Sequence, residues 1–293
     1  MAAATSKYRL LSNAFTRPDE DVKVSPKRVV FLSVEGDNTE IDYFKHLNSR
    51  LDNSLIRIEL LRHKCGDGYS DPEQVIDLLS EYIHVRHGEL IPEDSMNILL
   101  AKHSKEMIEQ YLENVQELTV EQQRNIRDDL LLMGIDLDYR RYLQQYANDG
   151  DVFAVIIDRD RGSHSRELME KCVQFCQDKN YGCYITNPCF EFWLLLHVCD
   201  VAHEYTQEQL DEFYRNDRIS NKHTKISYEV SSRAHHYKNI NEHIFNQYYG
   251  SNIQTALARA KHFASDIPEL LDQLGTNIPK LFDVLGCQSK VEE

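Results

Sequence analysis

Two places in this chain deliver carboxylates where they can do chemistry. The stretch VVFLSVEGDNTEIDYF, Val29 to Phe44, is an apolar run that ends on Glu35-Gly36, and VFAVIIDRDRGSHS, starting at Val152, ends on Asp158-Arg159-Asp160. Each run has the length and β-branched content of a buried strand, so each acid sits at a strand's C-terminal end. If the extended geometry persists, Asp158 and Asp160 share one face, because side chains two apart in a strand point the same way. In open parallel sheets functional groups gather beyond the carboxyl ends of the strands, so Glu35 can converge with them despite its distance in sequence. Three such groups suit a hard cation, Mg²⁺ or Mn²⁺, that keeps waters and leaves room for a phosphate oxygen and an attacking water. Against this stands a blander reading, in which Asp158 and Asp160 pair with Arg159 and Arg161 as a solvated cluster of little energetic weight.

Two further acids are secondary metal candidates. Glu40 and Glu191 each fall in the first turn of an expected helix, where an acid also complements the helix dipole. Cys172 and Cys176 have helical i, i+4 spacing without matching partners, and are expected to pack as small hydrophobes. Trp193, Leu194–Leu196 and His197 are expected to be core.

The elements that must position these residues follow a β-α-β-α rhythm. The pattern predicts strand Arg28–Val34, helix Thr39–Leu51, strand Ile56–Arg62, a turn KCGDGYSDP and helix Pro72–His87. From about 88 to 149 the sequence turns to charged segments of helical period with no strand-like run, which predicts a helical insertion. The rhythm then resumes with strand Val152–Ile157, helix His164–Lys179, strand Gly182–Thr186 and an apolar helix Phe190–Cys199 behind Asn187-Pro188. Four strands separated by helices predict an α/β fold with a parallel four-stranded sheet flanked by helices. The expected division is an N-terminal extension over 1–26, the α/β domain with its insertion over 27–200, and a helical C-terminal region over 201–293.

Composition narrows the function classes. With 293 residues and 41% hydrophobic content the chain can bury a large core. Its longest apolar runs fall far short of the ~20 residues a membrane crossing needs, and its start carries no sustained apolar segment, so a cytoplasmic protein with no membrane partner is expected. Seven cysteines without a CxxC pattern fit reduced thiols. A net charge of −15 opposes a protein that coats nucleic acid, yet leaves room for an enzyme with a local basic strip, expected between His197 and His262. No GxGxxG or GxxxxGK[ST] follows a strand, so a nucleotide-binding protein is the weakest reading.

A strand ending in Glu-Gly and another ending in Asp-x-Asp, within a small parallel sheet, resemble the Toprim domain. More narrowly, SVEGDNTEIDYF, GYSDPEQVI, VFAVIIDRDR and TNPCFEFWLLLH resemble successive motifs of the RloB-like proteins, and GTNIPKLFDVL resembles their C-terminal end. Lys238, in HHYKNI, falls where similar proteins carry a Tyr-Lys pair, and an ammonium there can stabilise charge on phosphate oxygens. The resemblance implies a Toprim-like fold and a metal-dependent nuclease acting as toxic effector of an antiphage defence system, with a homodimer and an ATPase sensor subunit as expected partners. On this reading Glu35, Asp158, Asp160 and Lys238 are catalytic and the substrate is nucleic acid, RNA (such as tRNA) favoured over DNA. The alternatives are a DNA endonuclease and a non-catalytic regulatory subunit that binds an ATPase.

Overall fold

The computed structural model describes residues 28–36, 38–52, 55–61, 72–145, 150–236 and 238–286. The expected N-terminal extension, the turn that precedes Pro72, the strand end at Arg62 and Tyr237 of the Tyr-Lys pair lie outside the described residues. The chain divides into two compact units, one drawn from residues within Ser80–Asp149 and the other from Pro26–Leu61, Tyr69–Leu79 and Gly150–Glu293.

The larger unit is built on a sheet of β1 (Arg28–Val34), β2 (Ile56–Leu61), β3 (Val152–Asp158), β4 (Gly182–Asn187) and β5 (Gly275–Thr276) in the order β2-β1-β3-β4-β5. The first four strands are parallel and β5 runs antiparallel to β4. The sheet is therefore mixed and five-stranded, which corrects the expected parallel four-stranded one. A two-residue strand carries no periodicity to detect. The Thr276 and Thr186 hydroxyls bond each other at 2.8 Å across the pair, and the next residue, Asn277, reinforces it: its Oδ1 accepts from the Ile185 N–H at 2.6 Å and its Nδ2 donates to the Cys183 carbonyl at 2.9 Å. Gly275 lets this happen, since a Cβ there would run into the backbone of Ala264.

The helices in chain order are α1 (Thr39–Asn48), α2 (Pro72–His87), α3 (Glu93–Leu100), α4 (Lys105–Glu113), α5 (Val120–Leu132), α6 (Leu137–Gln145), α7 (Arg166–Lys179) and α8 (Phe190–Val198). After these come α9 (Val201–Glu204), α10 (Gln207–Arg215), α11 (Lys225–Ala234), α12 (Glu242–Ile244), α13 (Ile253–Ala260), α14 (Ile267–Leu270) and α15 (Ile278–Val284). Both faces of the sheet are covered, which is why β1 reads as an unbroken apolar run rather than an alternating one. Val30, Leu32 and Val34 face a core shared with Ile41 and Phe44 of α1 and with Phe190 and Phe192–Leu196 of α8. From the other face the Ser33 hydroxyl donates to the Val75 carbonyl of α2 at 2.7 Å. Helix α8 is apolar all round and almost wholly buried, as a helix of that composition must be.

Strand order decides where a site can form. The chain passes from β1 to β2 on one side and then to β3 on the other side of β1, so the topological switch lies between β1 and β3, where crossover connections part and leave a crevice. Glu35 follows β1 directly and Asp158 closes β3.

Residues of the smaller unit form α3 to α6 around a separate apolar cluster that includes Leu99, Ile108, Ile126 and Leu130. Among the described residues this segment contains no strand. A capping box at Thr119 and Gln122 starts α5.

His197 of α8 is a core group. Its Nδ1–H donates to the Trp193 carbonyl at 2.9 Å and its Nε2 accepts from the Tyr43 hydroxyl at 3.1 Å. Burial holds the imidazole neutral, with a pKa lowered to about 3. The unfolded chain, with an ordinary value of about 6.5, therefore binds a proton that the folded chain refuses, and stability falls as the pH drops below that value. Urea titrations between pH 6.5 and 5 should show His197→Gln losing less stability than wild type, by a difference that approaches about 1.4 kcal/mol per pH unit at the acid end. Equal slopes would mean that the buried imidazole is not the group taking up the proton.

Candidate active site

At the switch point the backbone itself holds the acids. The Asp158 N–H donates to Glu35 Oε2 at 3.0 Å, and the Phe190 N–H donates to Asp158 Oδ1 at 2.8 Å. Phe190 opens α8, so the Asp158 carboxylate sits at a helix N-terminus, where free N–H groups and the dipole favour negative charge. His164 Nε2 lies 3.5 Å from Glu35 Oε1, and its Nδ1–H donates to the Asp158 carbonyl at 3.0 Å.

Two more carboxylates join them. Loss of solvent, followed by the charges of Glu35, Glu40 and Glu191, pushes Asp158 well above the usual carboxylate range. Glu40 reaches back from the first turn of α1 to lie over Gly36, so closely that a Cβ on that glycine would collide with its carboxylate. The glycine after Glu35 thus makes space for a second acid. Glu191 comes from the first turn of α8; after burial, its charge is the largest influence raising the Cys189 thiol and the Tyr249 hydroxyl. Tyr249 is fully buried on a π-helical turn, Phe245–Tyr249, and hydrogen-bonds His236. Glu35, Glu40, Asp158 and Glu191 therefore form one electrostatic cluster drawn from two strand ends and two helix starts.

Not every expected residue joins it. Strand β3 stops at Asp158, so the i, i+2 alignment with Asp160 does not persist. The Asp160 carboxylate is exposed and folds onto its own turn, accepting from the Gly162 N–H at 3.2 Å and the Ser163 hydroxyl at 2.9 Å. The arginines make other contacts than the suggested ion pairs. Arg159 donates to the carbonyls of Leu271 and His164, and Arg161 stacks over Tyr214 with 4.7 Å between guanidinium carbon and ring centre. Lys238 is exposed, with φ of 57°. Its carbonyl accepts from the Thr39 hydroxyl at 3.0 Å, which ties its loop to the first turn of α1 beside Glu40.

Part of the basic strip expected between His197 and His262 is committed elsewhere. His197 is buried, Lys225 pairs with Glu212 at 2.8 Å and Arg233 with Glu204 at 2.9 Å, and Arg259 donates to carbonyls of α8. His164, in contrast, was hidden by the helix predicted from that residue. The helix begins at Arg166 because the Ser165 hydroxyl caps it by accepting from the Leu168 N–H, which leaves His164 in the loop and its ring at Glu35. The Ser-His-Ser run just upstream of the helix is the signal that a cap, not a helical residue, stands there.

Chemically the cluster offers oxygen donors only. Among the described residues no three histidine, cysteine or acidic side chains stand together as a ready-made metal site. Mg²⁺ usually takes one or two carboxylates and fills the rest of its octahedron with water and substrate oxygens, so a paired Glu35 and Asp158 with Glu40 and Glu191 nearby fit that ion better than Zn²⁺.

Two measurements probe the cluster. Asp158→Asn keeps the oxygen that accepts from Phe190 and removes one of four crowded charges. Without divalent ions it should melt above wild type, by roughly 2–4 °C for each 1 kcal/mol of relieved repulsion; an unchanged or lower melting temperature would mean the charges are not in conflict. Gly36→Ala should melt near wild type, because the colliding group is the end of a flexible side chain, and yet weaken Mn²⁺ binding through displaced Glu40. Unchanged Mn²⁺ binding would remove Glu40 from the site.

No curated protein and no solved structure matches the chain. The family model described as "RloB-like protein" matches residues 30–285, from β1 to just past α15. That span takes in both acid-bearing strand ends and the C-terminal Gly-Thr-Asn that closes the sheet, and the chain belongs to the RloB-like family.

Proposed function

We propose that this protein is a Mg²⁺- or Mn²⁺-dependent phosphodiesterase of the Toprim kind that cleaves nucleic acid. The observation that carries the reading is the position of Asp158, seated at the switch point with its carboxyl pushed up first by burial and then by the charges of Glu35, Glu40 and Glu191. Like charges gathered in a poorly solvated place are costly to keep, and they are found where a cation or a proton is to be taken up. A bound divalent ion would polarise a phosphoryl oxygen and make a water nucleophilic near neutral pH.

The chain's own groups have separable tasks in this scheme. Glu35 and Asp158, fixed by backbone donors, are the residues that would chiefly hold the ion. Glu40 and Glu191 flank them, and one of these two takes the proton of the attacking water. Asp160 supports the turn at the rim that carries His164. Lys238, on a loop tied to the first turn of α1, would place an ammonium against the phosphate oxygens as charge builds there. RNA is favoured over DNA, because a strongly acidic chain suits a compact structured substrate better than a long duplex. We attach to this activity the role of toxic effector in antiphage defence, acting as a homodimer with an ATPase sensor subunit.

Glu35→Gln tests the reading. The substitution keeps size and removes charge, so the protein should fold while cleavage of RNA in Mg²⁺ or Mn²⁺ falls by at least ~100-fold, since disturbing even the groups behind a metal ligand costs up to about that much. Chelator should abolish wild-type cleavage. In cells with the intact locus triggered, the variant should neither arrest growth nor break nucleic acid. If it does both as wild type does, the non-catalytic regulatory reading replaces this one.

A further inference from the structure

The imidazole of His164 and the guanidinium of Arg159 lie outside the four-carboxylate cluster, yet both are almost fully buried, at 4% and 3% exposure. A histidine and an arginine next to an acidic site could simply offset its charge. Their hydrogen bonds describe something more specific. Arg159 spans two segments: its Nε donates to the Leu271 carbonyl at 2.9 Å and its Nη1 to the His164 carbonyl at 2.8 Å. The His164 N–H in turn donates to the Asp160 carbonyl at 2.8 Å, so the backbone of His164 is held from both sides. Its ring is held as well, since the Nδ1–H donates to the Asp158 carbonyl.

With backbone and ring both fixed, the remaining nitrogen has one direction to face. Nε2 sits 3.5 Å from Glu35 Oε1, at the limit of hydrogen-bonding reach, while Oε2 of the same carboxylate is held by the Asp158 N–H. Glu35 is 8% exposed, so little solvent is present to compete for its orientation.

We propose that His164, braced by Arg159, is a positioning residue that sets the plane of the Glu35 carboxylate and so tunes its affinity for a divalent cation. The assignment rests on the metal-dependent reading of the site given above. Groups that fix the orientation of a ligating carboxylate without touching the ion typically change metal affinity by about 10–100-fold when removed. The turn formed by Asp160, Gly162 and Ser163 then has a task, which is to present His164 to Glu35 one strand away.

Two amide substitutions separate the ring's two bonds. In His164→Asn the amide nitrogen stands near the place of Nδ1 and can keep the bond to the Asp158 carbonyl, but it cannot reach Glu35. In His164→Gln the amide nitrogen stands near the place of Nε2 and can still donate to Glu35. Mn²⁺ titrations of the full-length protein, followed by electron paramagnetic resonance, should give His164→Gln a Kd within ~3-fold of wild type and His164→Asn one weaker by ~10–100-fold. Arg159→Lys, which keeps the charge but cannot donate to both carbonyls, should also weaken binding and serves as the test if either amide variant does not fold. Wild-type affinity in His164→Asn, or in a folded Arg159→Lys when the amide variants fail, overturns the positioning role. If wild type itself takes up no Mn²⁺, the metal reading of the site falls and this assignment falls with it.

Discussion

Holding Asp158 among Glu35, Glu40 and Glu191 opposes Coulomb's law in a place with little water, and most of the larger unit's local detail makes sense as the means of doing so. Backbone N–H groups supply the first counterweight, one from Asp158 to Glu35 and one from Phe190 to Asp158. A donor fixed in the main chain costs little further ordering when it meets a carboxylate, and the N-terminus of α8 adds the favourable end of its dipole. Gly36 supplies the space for the third acid. The remaining repulsion is what a divalent cation would relieve, which makes the cluster a conditional arrangement rather than a stabilising one.

Such a cluster needs a rigid support, and α8 provides it. Both the N–H that binds Asp158 and the side chain of Glu191 are placed by the first turn of a helix buried in the middle of the core. Its last turn is pinned by His197, between Trp193 and Tyr43, so the helix that aims the acids is fixed to α1, which carries Glu40. The C-terminal region braces the same assembly: Asn277 closes the edge of β4, and the loop around Lys238 is tied to Thr39 and Asp42 through hydrogen bonds at 3.0 Å.

The distribution of cations follows a similar logic. Arg159 is drawn into the interior as a brace between carbonyls, and Arg161 lies on Tyr214. Neither neutralises the acids beside it in sequence, so the local charge stays strongly negative. On the proposed function, a polyanionic substrate would approach such a site poorly without a metal ion, which would make substrate and metal binding depend on each other.

By itself the sequence determined the parallel run of β1 to β4, because each is a short apolar segment bounded by turn residues, and the delivery of Glu35 and Asp158 at two strand ends, because the acids close those segments. It also marked Glu40 and Glu191 through their place one helical turn beyond a strand. Tertiary structure decided which acids meet. Asp160 looked equivalent to Asp158 in an extended chain, but short-range bonds to Gly162 and Ser163 bend it into a turn, and such local competition leaves no periodic trace. Two other features were equally illegible for physical reasons. His164 reaches Glu35 because Ser165 caps α7, so that the helix starts two residues later than periodicity suggests, and β5 is held by side chains, among them Asn277, that complete the hydrogen bonding of a strand some ninety positions away. Long-range hydrogen bonds of that kind are fixed when the chain closes on itself, and no window of sequence contains both partners.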